Sequence, residues 1–496
     1  MNFTRNSSCS LNAAVKGGSL ALLLTVIGGS VACYARHASP NTAADLKSIS
    51  NSRSISDEDA AGLNEDLSSN VHAVRDYVNT IERMLKEERF DALDYVADHA
   101  RAGKERFPGG AWKLHTVYAG LSSPVQFPVT HATDEDWEEF IQQLQRWVSA
   151  RPKSVTARVA LAYAYLGYAY KTRGDGDANT VSEGGWKLIR QRTAEAQRIL
   201  EEAKALPLKC PEWYVAMQFV AQYQGWDANK ERVLFEEANR LEPGYYYNAA
   251  AFARNLLPEF GGKAGDTEKF VELVSDRIGG EPGDIFYFQV ATTPGLICNC
   301  DHNPNFSWER IERGFEASEK QYGVSTLNLN RIAFLASNYG RLDAVAADKV
   351  LTRIGDQWNE ETWETQKDFD SVKQWAAQWA PIVAKQRVLE AEAEANMRTP
   401  AGSSYKASFA TKYRELLQQC ALIQGPSEGI LETLTSVGAN GTVEDVRVYG
   451  SGGVCVYQKM LALQGNRTKA FPPPPQAPYW VKLDLDWAEF APVAAK

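Results

Sequence analysis

"SVTARVALAYAYLGYAYKTR" (residues 154–173) has apolar side chains on nearly every face of the helix that it predicts. Ser154 opens this helix, and the apolar positions are Val155, Val159, Leu161, Ala162, Tyr165, Leu166 and Tyr168. A helix that is apolar all round is stable only when neighbouring elements cover it on several sides. The stretch therefore predicts a helix that is enclosed by other helices.

The segments on both sides of this stretch have apolar residues at spacings of three and four, which indicates further helices. Examples are Val71, Val74, Tyr77, Val78, Ile81 and Leu85, followed by Phe90, Leu93, Val96 and Ala97. Short breaks occur at residues 108–110, 151–152, 206–207, 242–244, 281–283 and 340, which is the spacing of helical hairpins. We therefore expect a mainly α body of irregular helical hairpins over residues 70–396.

The composition limits the class of partner. The 496 residues carry a formal net charge of −9, and no long run of Lys and Arg occurs. Binding to the phosphates of a nucleic acid requires clustered positive charge, so we expect no nucleic-acid partner.

The N-terminal 33 residues have the order of a secretory signal. Arg5 and Lys16 precede an apolar run from Leu20 to Ile27, and Ser30-Val31-Ala32 fits the rule for cleavage after small residues. The apolar run is shorter than a typical membrane-spanning helix, so we expect cleavage or a retained N-terminal membrane anchor. Cys33 is the candidate for lipid attachment, although Ser30 stands where such a signal usually has a larger aliphatic residue. We expect an exported protein in the periplasm or cell envelope.

Two segments have the composition of linkers. Residues 34–69 are rich in Ser, Asn, Ala and Asp, and we expect them to be a flexible connection between the signal and the body. Residues 397–406 contain the stretch RTPAGSSYK, which favours a second linker before a C-terminal domain over residues 407–488.

The C-terminal domain has the pattern of a small α+β unit. Residues 430–437 and 442–449 alternate between apolar and polar, and Asn440-Gly441 between them is a strong signal for a hairpin turn. Apolar spacing predicts a helix before the hairpin, a helix after it and a third strand around residues 479–485. The expected order is α-β-β-α-β.

The body resembles a bacterial family known as domain of unknown function 4034. The resemblance lies in LAYAYLGYAYKTRGDGDANTVSEGGW (161–186), CPEWYVAMQFVAQYQGWD (210–227), FEEANRLEPGYYYNAAAFARNLLPEFGG (235–262) and LNLNRIAFLASNYGRLDAVA (327–346), and it covers about residues 75–355. It implies a tetratricopeptide-like helical fold and no established activity. It also marks Arg173, Trp186, Trp213, Trp226 and Tyr245 as signature positions, which are candidates for a partner or ligand surface.

The C-terminal domain is similar to the corresponding domain of TonB-type energy transducers and of myxobacterial gliding-motility proteins. The shared features are GTVEDVRV, the Gly-rich YGSGG and the FPPPP that leads into the last strand. In the second group, a cysteine at the end of the first helix and another early in the second helix recur. The resemblance therefore implies a disulfide between Cys420 and Cys455, and an outer-membrane protein partner for an open sheet edge.

Signatures of catalytic sites are absent, and the single cluster of metal-ligand residue types is incomplete. No phosphate-binding loop, nucleophile elbow or zinc-protease motif occurs. Cys298, Cys300 and His302 in CNCDH are weak candidates for a metal site, because a fourth ligand is missing or remote. A loop cysteine pair, or a disulfide from one of them to Cys210, is the more ordinary interpretation.

These patterns favour a non-enzymatic envelope protein without a cofactor. We expect it to act as a protein–protein interaction scaffold through its helical repeats and its TonB-like module. The alternative is a ligand-binding protein or enzyme with a pocket around Arg173, Trp186 and Trp213.

Overall fold

A computed structural model describes most of the chain in full atomic detail. The described residues are 55–64, 66–125, 131–174, 178–293, 305–337, 343–363, 365–424, 429–450 and 453–486. The chain divides into two compact units, with the boundary between Lys373 and Gln374.

The first unit is helical. Its helices are α1 (Asp57–Leu63), α2 (Ala73–Lys86), α3 (Phe90–Ala102), α4 (Lys113–Ala119), α5 (Asp134–Ala150), α6 (Val155–Arg173), α7 (Glu183–Lys204), α8 (Pro211–Gln224), α9 (Ala228–Leu241), α10 (Tyr247–Asn255), α11 (Asp266–Ile278), α12 (Gly280–Ala291), α13 (Trp308–Tyr322), α14 (Thr326–Ser337), α15 (Ala344–Ile354) and α16 (Glu360–Trp363). Short 3-10 turns lie at Pro108–Gly110, Ala178–Thr180 and Pro258–Phe260. The prediction of a mainly α body is confirmed.

Helix α6 is enclosed as its apolar pattern predicted. The Ser154 hydroxyl accepts the N–H of Ala157 at 2.9 Å and so caps the first turn. The helix packs against α5, α7 and α8, and Tyr163 and Leu166 on it are fully buried. Other consecutive helices also pack together, including α12 with α13 and α14 with α15.

A flexible linker was expected over residues 34–69, but the described part of this range is folded. Helix α1 lies within that range, and Leu63 and Leu67 are buried. The carbonyl of Leu67 accepts hydrogen bonds from the N–H and the hydroxyl of Thr326, at 3.2 and 3.0 Å. The few apolar residues in a polar segment are thus enough to attach it to the body.

One of the expected breaks is helical instead. Helix α12 starts at Gly280, so Pro282 lies in its first turn. A backbone N–H in the first turn has no acceptor within the helix, so a proline there costs no helical hydrogen bond. The expected break at Gly340 lies outside the described residues.

The second unit contains residues 374–397 of helix α17 (Gln366–Met397), then α18 (Pro400–Gln424), β1 (Ile430–Val437), β2 (Val443–Tyr449), α19 (Gly453–Gly465) and β3 (Tyr479–Asp486). The three strands form an antiparallel sheet in the order β2-β1-β3. The expected order of elements after residue 407 is therefore confirmed.

Helices pack on both faces of this sheet. On one face, α18 and α19 contribute Phe409, Tyr413, Val456 and Met460 to a core that includes Leu431 and Val481 of the sheet. On the other face, Leu434 of β1 and Trp480 of β3 pack against Leu389 and Ala393 of α17. The C-terminal part of α17 thus belongs to the sheet unit by its packing.

Residues 397–406 do not form the open linker that their composition suggested. Helix α17 ends at Met397, and α18 starts at Pro400. Pro400 occupies the first helical position, where proline is favoured, and the Thr399 hydroxyl accepts the N–H of Gly402 at 3.0 Å. Tyr405 is buried and donates its hydroxyl to the carbonyl of Pro472 at 2.9 Å.

Candidate functional site

Two of the five signature residues are part of the core. Trp213 on α8 is 6% exposed, and its indole N–H donates to the carbonyl of Leu200 at 2.6 Å. Tyr245, which precedes α10, is 1% exposed and packs edge-on against Trp112. Both side chains are therefore held by interior contacts.

The other three signature residues are partly exposed. Arg173 at the end of α6 donates to the carbonyl of Gly174 at 3.0 Å. Trp226 donates its indole N–H to Gln224 at 2.9 Å, and the Lys230 ammonium lies 3.1 Å from its ring centroid. Trp186 on α7 is half-buried. The five residues are thus divided between the interior and the surface.

Tyr245 belongs to a buried polar group that was not predicted from the sequence. We call this group the Glu212 cluster (His115, Tyr163, Glu212 and Tyr245). His115 lies on α4, Tyr163 on α6 and Glu212 in the first turn of α8. The four side chains are at most 2% exposed. Residues far apart in sequence therefore meet at one carboxylate.

The Glu212 carboxylate has three hydrogen-bonding partners. His115 Nδ1 lies 3.0 Å from each carboxylate oxygen. The Tyr163 hydroxyl donates to Oε1 at 2.6 Å, and the Tyr245 hydroxyl donates to Oε2 through a short hydrogen bond. A carboxylate removed from water needs such donors, because an uncompensated buried charge is very costly.

The two phenols of the cluster stay protonated over a wide pH range. Burial, followed by the Glu212 carboxylate, raises the pKa of both Tyr163 and Tyr245 well above the ordinary value. Their hydroxyls consequently act as donors to the carboxylate at neutral pH.

The outer side of the His115 ring has no polar contact. The ring stacks on Tyr247 with 3.6 Å between centroids, and Nε2 has no hydrogen-bond partner among the described residues. A carboxylate that fixes one ring nitrogen of a histidine is an arrangement found in catalytic and metal sites. Such a site also needs a reactant or a metal at the second nitrogen.

The function of the Glu212 cluster depends on whether a substrate can reach it. The ring, the carboxylate and both phenols are enclosed by packed aromatic side chains, including Tyr247 and Trp112. A general base must lie within hydrogen-bonding distance of its substrate, and these contacts occupy that space. The arrangement therefore suits a structural role that joins α4, α6 and α8 and the segment before α10.

A free thiol lies beside the cluster. Cys210 is buried, and its Sγ lies 3.3 Å from the Tyr118 hydroxyl. Burial, followed by Cys210, raises the pKa of Tyr118 well above the ordinary value. In this structure Cys210 is thus free rather than paired with Cys298 or Cys300, which lie outside the described residues.

A buried cation lies elsewhere in the first unit. The Lys113 ammonium donates to the carbonyl of Leu63 at 3.3 Å and lies 3.9 Å from the Glu105 carboxylate. Burial lowers the pKa of Lys113. The adjacent cavity, lined also by Tyr77 and His99, has a volume of about 10 Å³, which is too small for an organic ligand.

No metal centre is found in the described part of the chain. No group of three or more His, Cys, Asp or Glu side chains there is placed to hold an ion. The weak candidates Cys298, Cys300 and His302 lie outside the described residues, as does the lipidation candidate Cys33.

The expected disulfide is present in the second unit. Cys420 at the end of α18 and Cys455 at the start of α19 are bonded, with 5.8 Å between their Cα atoms. It connects the two helices that cover one face of the sheet.

The sequence held only weak signals for the Glu212 cluster. Glu212 is the one acidic residue in the apolar stretch CPEWYVAMQFVAQY (210–223), and a lone carboxylate in such a helix needs a partner. His115 is separated from it by 97 residues, and histidines scattered along a chain are more often ordinary core or surface residues.

Comparison with known families gives a match over part of the chain. A family described as Domain of unknown function (DUF4034) matches residues 77–230. The matched range includes His115, Tyr163 and Glu212, whereas Tyr245 lies outside it. Comparisons with curated proteins and with solved structures gave no match.

Proposed function

We propose that this chain is a non-enzymatic, exported cell-envelope protein that acts as a protein–protein interaction scaffold. The helical body provides one contact surface, and the C-terminal unit acts as a TonB-like module that provides a second. The closed Glu212 cluster supports this proposal, because the most elaborate group of titratable side chains described in the body has no access for a substrate.

The observation that carries the proposal is the outer edge of β3. Strand β1 lies in the middle of the sheet, and among the described residues no strand pairs with the second edge of β3. One carbonyl of this strand, that of Trp480, accepts the side-chain amide of Asn396 at 3.3 Å. A strand of eight residues whose outer side pairs with no described strand can accept an extended segment of a partner through main-chain hydrogen bonds.

Export is supported by the disulfide and by the N-terminal sequence. A Cys420–Cys455 bond is consistent with an oxidising compartment, and residues 1–33 have the order of a signal peptide or membrane anchor. In the part of the chain described by the structure, no helix has the length and apolar character needed to cross a membrane. We propose an outer-membrane or other envelope protein as the partner.

The alternative function requires a pocket around Arg173, Trp186 and Trp213. Trp213 is buried, and its N–H is used inside the protein, which favours the scaffold over a ligand site at this position.

Site-specific photo-crosslinking in living cells tests the proposal. The full chain would carry a benzoylphenylalanine at Asp484, an exposed position of β3, and in a matched control at the exposed Lys469 of the same unit. We expect a discrete adduct with an envelope protein from position 484 and not from position 469. The absence of any protein adduct from 484, and from the exposed Glu201 of α7, would contradict the scaffold function.

A further inference from the structure

The second unit has an open groove on the sheet face that α17 covers. We call it the α17–β2 groove, and it is lined by Pro381, Ile382, Lys385, Gln386, Arg447 and Tyr449. Its volume is about 460 Å³, and it is open to solvent on its outer side.

The groove exists because α17 covers only part of this face. Leu389 and Ala393 of α17 pack on Leu434 and Trp480 and close the face over β1 and β3. The preceding turns of the helix, around Pro381 to Gln386, lie opposite Arg447 and Tyr449 near the end of β2 and leave a space between helix and strand. The floor of that space is therefore the end of an edge strand.

Apolar surface lies open in this groove. Ile382 is 50% exposed and Tyr449 is 37% exposed, although both are large apolar side chains. The Tyr449 hydroxyl donates to Gln386 Oε1 at 2.8 Å, which fixes the ring against the helix. A fixed ring beside an aliphatic side chain forms a contact surface that needs little ordering when a partner binds.

The charged side chains that line the groove are both positive. Lys385 is exposed and has no carboxylate partner among the described contacts. Arg447 is mostly covered and forms an ion pair with the Asp445 carboxylate at 3.7 Å. The nearby Glu390 accepts a hydrogen bond from Gln386 at 2.7 Å and does not line the groove. The groove lining thus contains two cations and no carboxylate, and one of the two, Arg447, is paired with Asp445 outside the lining.

We propose that the α17–β2 groove binds a peptide segment of a partner protein in which Asp or Glu is adjacent to a large apolar residue. The carboxylate pairs with Arg447 and Lys385, and the apolar side chain packs on Ile382 and Tyr449. Arginine suits this role because its planar guanidinium can donate two parallel hydrogen bonds to one carboxylate.

A peptide fits the groove better than a small amphiphile. Sites for small molecules usually enclose most of the ligand surface, whereas this groove is open and six residues line it. An extended chain can enter and leave an open groove while two of its side chains are held there. The inference assumes a protein partner, as the proposed function does, but it uses a surface other than the edge of β3.

The test is selection of peptides on the full-length protein. A random library of 12-residue linear peptides would be displayed on phage and selected against the wild-type chain. Enriched peptides would then be synthesised with a fluorophore, and their dissociation constants measured by fluorescence anisotropy. We expect enriched sequences to contain Asp or Glu next to Leu, Ile, Phe or Met, and binding to weaken as salt is raised.

Charge-reversal variants identify the site. We expect Lys385→Glu combined with Arg447→Glu to weaken binding at least tenfold, and Lys385→Glu alone to weaken it several-fold. The single variant changes an exposed helix position, so it retains the fold even if the double variant does not. The matched control, Arg467→Glu with Lys469→Glu, changes two exposed cations outside the groove and should leave binding unchanged.

Three results would overturn the inference. They are selected peptides without an acidic residue, equal affinity for the wild type and the Lys385→Glu variant, and binding of dodecanoate in the groove without any selected peptide. If the peptide experiment fails while crosslinked adducts still form at position 484, the proposal for the groove is rejected and the proposed function is kept. If peptides bind in the groove but no adduct forms at position 484, the proposed contact at β3 is rejected and the proposal for the groove is kept.

Discussion

His115 Nδ1 lies 3.0 Å from both carboxylate oxygens of Glu212, and both side chains are buried. Since Tyr163 and Tyr245 donate to the same carboxylate, one charged group in the first unit is held by side chains from three other segments.

Glu212→Gln should destabilise the first unit by about 3 kcal/mol, because it leaves the donors around position 212 without their shared charged acceptor. Urea unfolding followed by far-UV circular dichroism measures the effect. Glu139→Gln on α5 is the matched control, since Glu139 is exposed, and it should change stability by less than about 0.5 kcal/mol. Equal stability of the two variants would show that the Glu212 contacts contribute nothing.

Tyr163→Phe and Tyr245→Phe should each lower the free energy of unfolding by about 2 kcal/mol, because each removes one hydrogen bond to a buried carboxylate. Tyr165→Phe on the same helix as Tyr163 is the control. Tyr165 is partly exposed, and its hydroxyl accepts a hydrogen bond only from the exposed Gln145, at 3.4 Å. A loss for Tyr165→Phe as large as that for Tyr163→Phe would contradict the assignment.

The Asp59 carboxylate on α1 should make the free energy of unfolding depend on pH. Burial alone would raise the pKa of its carboxyl, but hydrogen bonds from Ser56, Arg83 and Arg89 outweigh burial and lower the pKa from 3.8 to about 2. The ionised form therefore contributes about 2 kcal/mol above pH 3.8, and this contribution is lost as the pH falls from about 4 towards 2.

The measurement compares wild type with Asp59→Asn. The difference in their free energies of unfolding should be constant near pH 7 and should shrink below pH 4. Asp57→Asn on the same helix changes an exposed carboxylate and serves as the control. A difference between wild type and Asp59→Asn that does not vary between pH 2 and 6 would refute the prediction.

Cys420→Ser combined with Cys455→Ser should destabilise the second unit by about 3 kcal/mol, because the bond closes a loop of 35 residues in the unfolded chain. Hydrogen exchange on the full chain, analysed by mass spectrometry, resolves the location of the effect. Peptides from β1 and α19 should exchange faster, while peptides from α6 and α8 should be unchanged. The reductant that opens the wild-type bond should have no further effect on the variant.

Local chemistry explains why the C-terminal strands could be predicted from the sequence. The boundaries of β1 match the alternating run, and the turn at Asn440-Gly441 follows from a residue that can take positive φ, here +78° at Gly441. A Cβ at this glycine would lie 1.9 Å from the carbonyl oxygen of Phe471, so no larger residue fits.

Long-range contacts explain what could not be predicted. Asp59 in α1 forms ion pairs with Arg83 and Arg89, which lie in a later part of the chain. Pro400 looked like part of a linker because a proline suits both a loop and the first turn of a helix. His115 and Glu212 are 97 residues apart in sequence, so no local pattern could reveal their contact.

The position of the Cys420–Cys455 bond has a mechanical consequence. Strands β1 and β2 lie inside the covalent loop, whereas β3 lies outside it. A pulling force on the two ends of the chain would pass through the sulfur atoms and bypass the 35-residue loop. Such a load could separate β3 from the sheet, but it would not extend the hairpin. The loop corresponds to roughly 120 Å of extended chain, which would be released only after the bond is reduced.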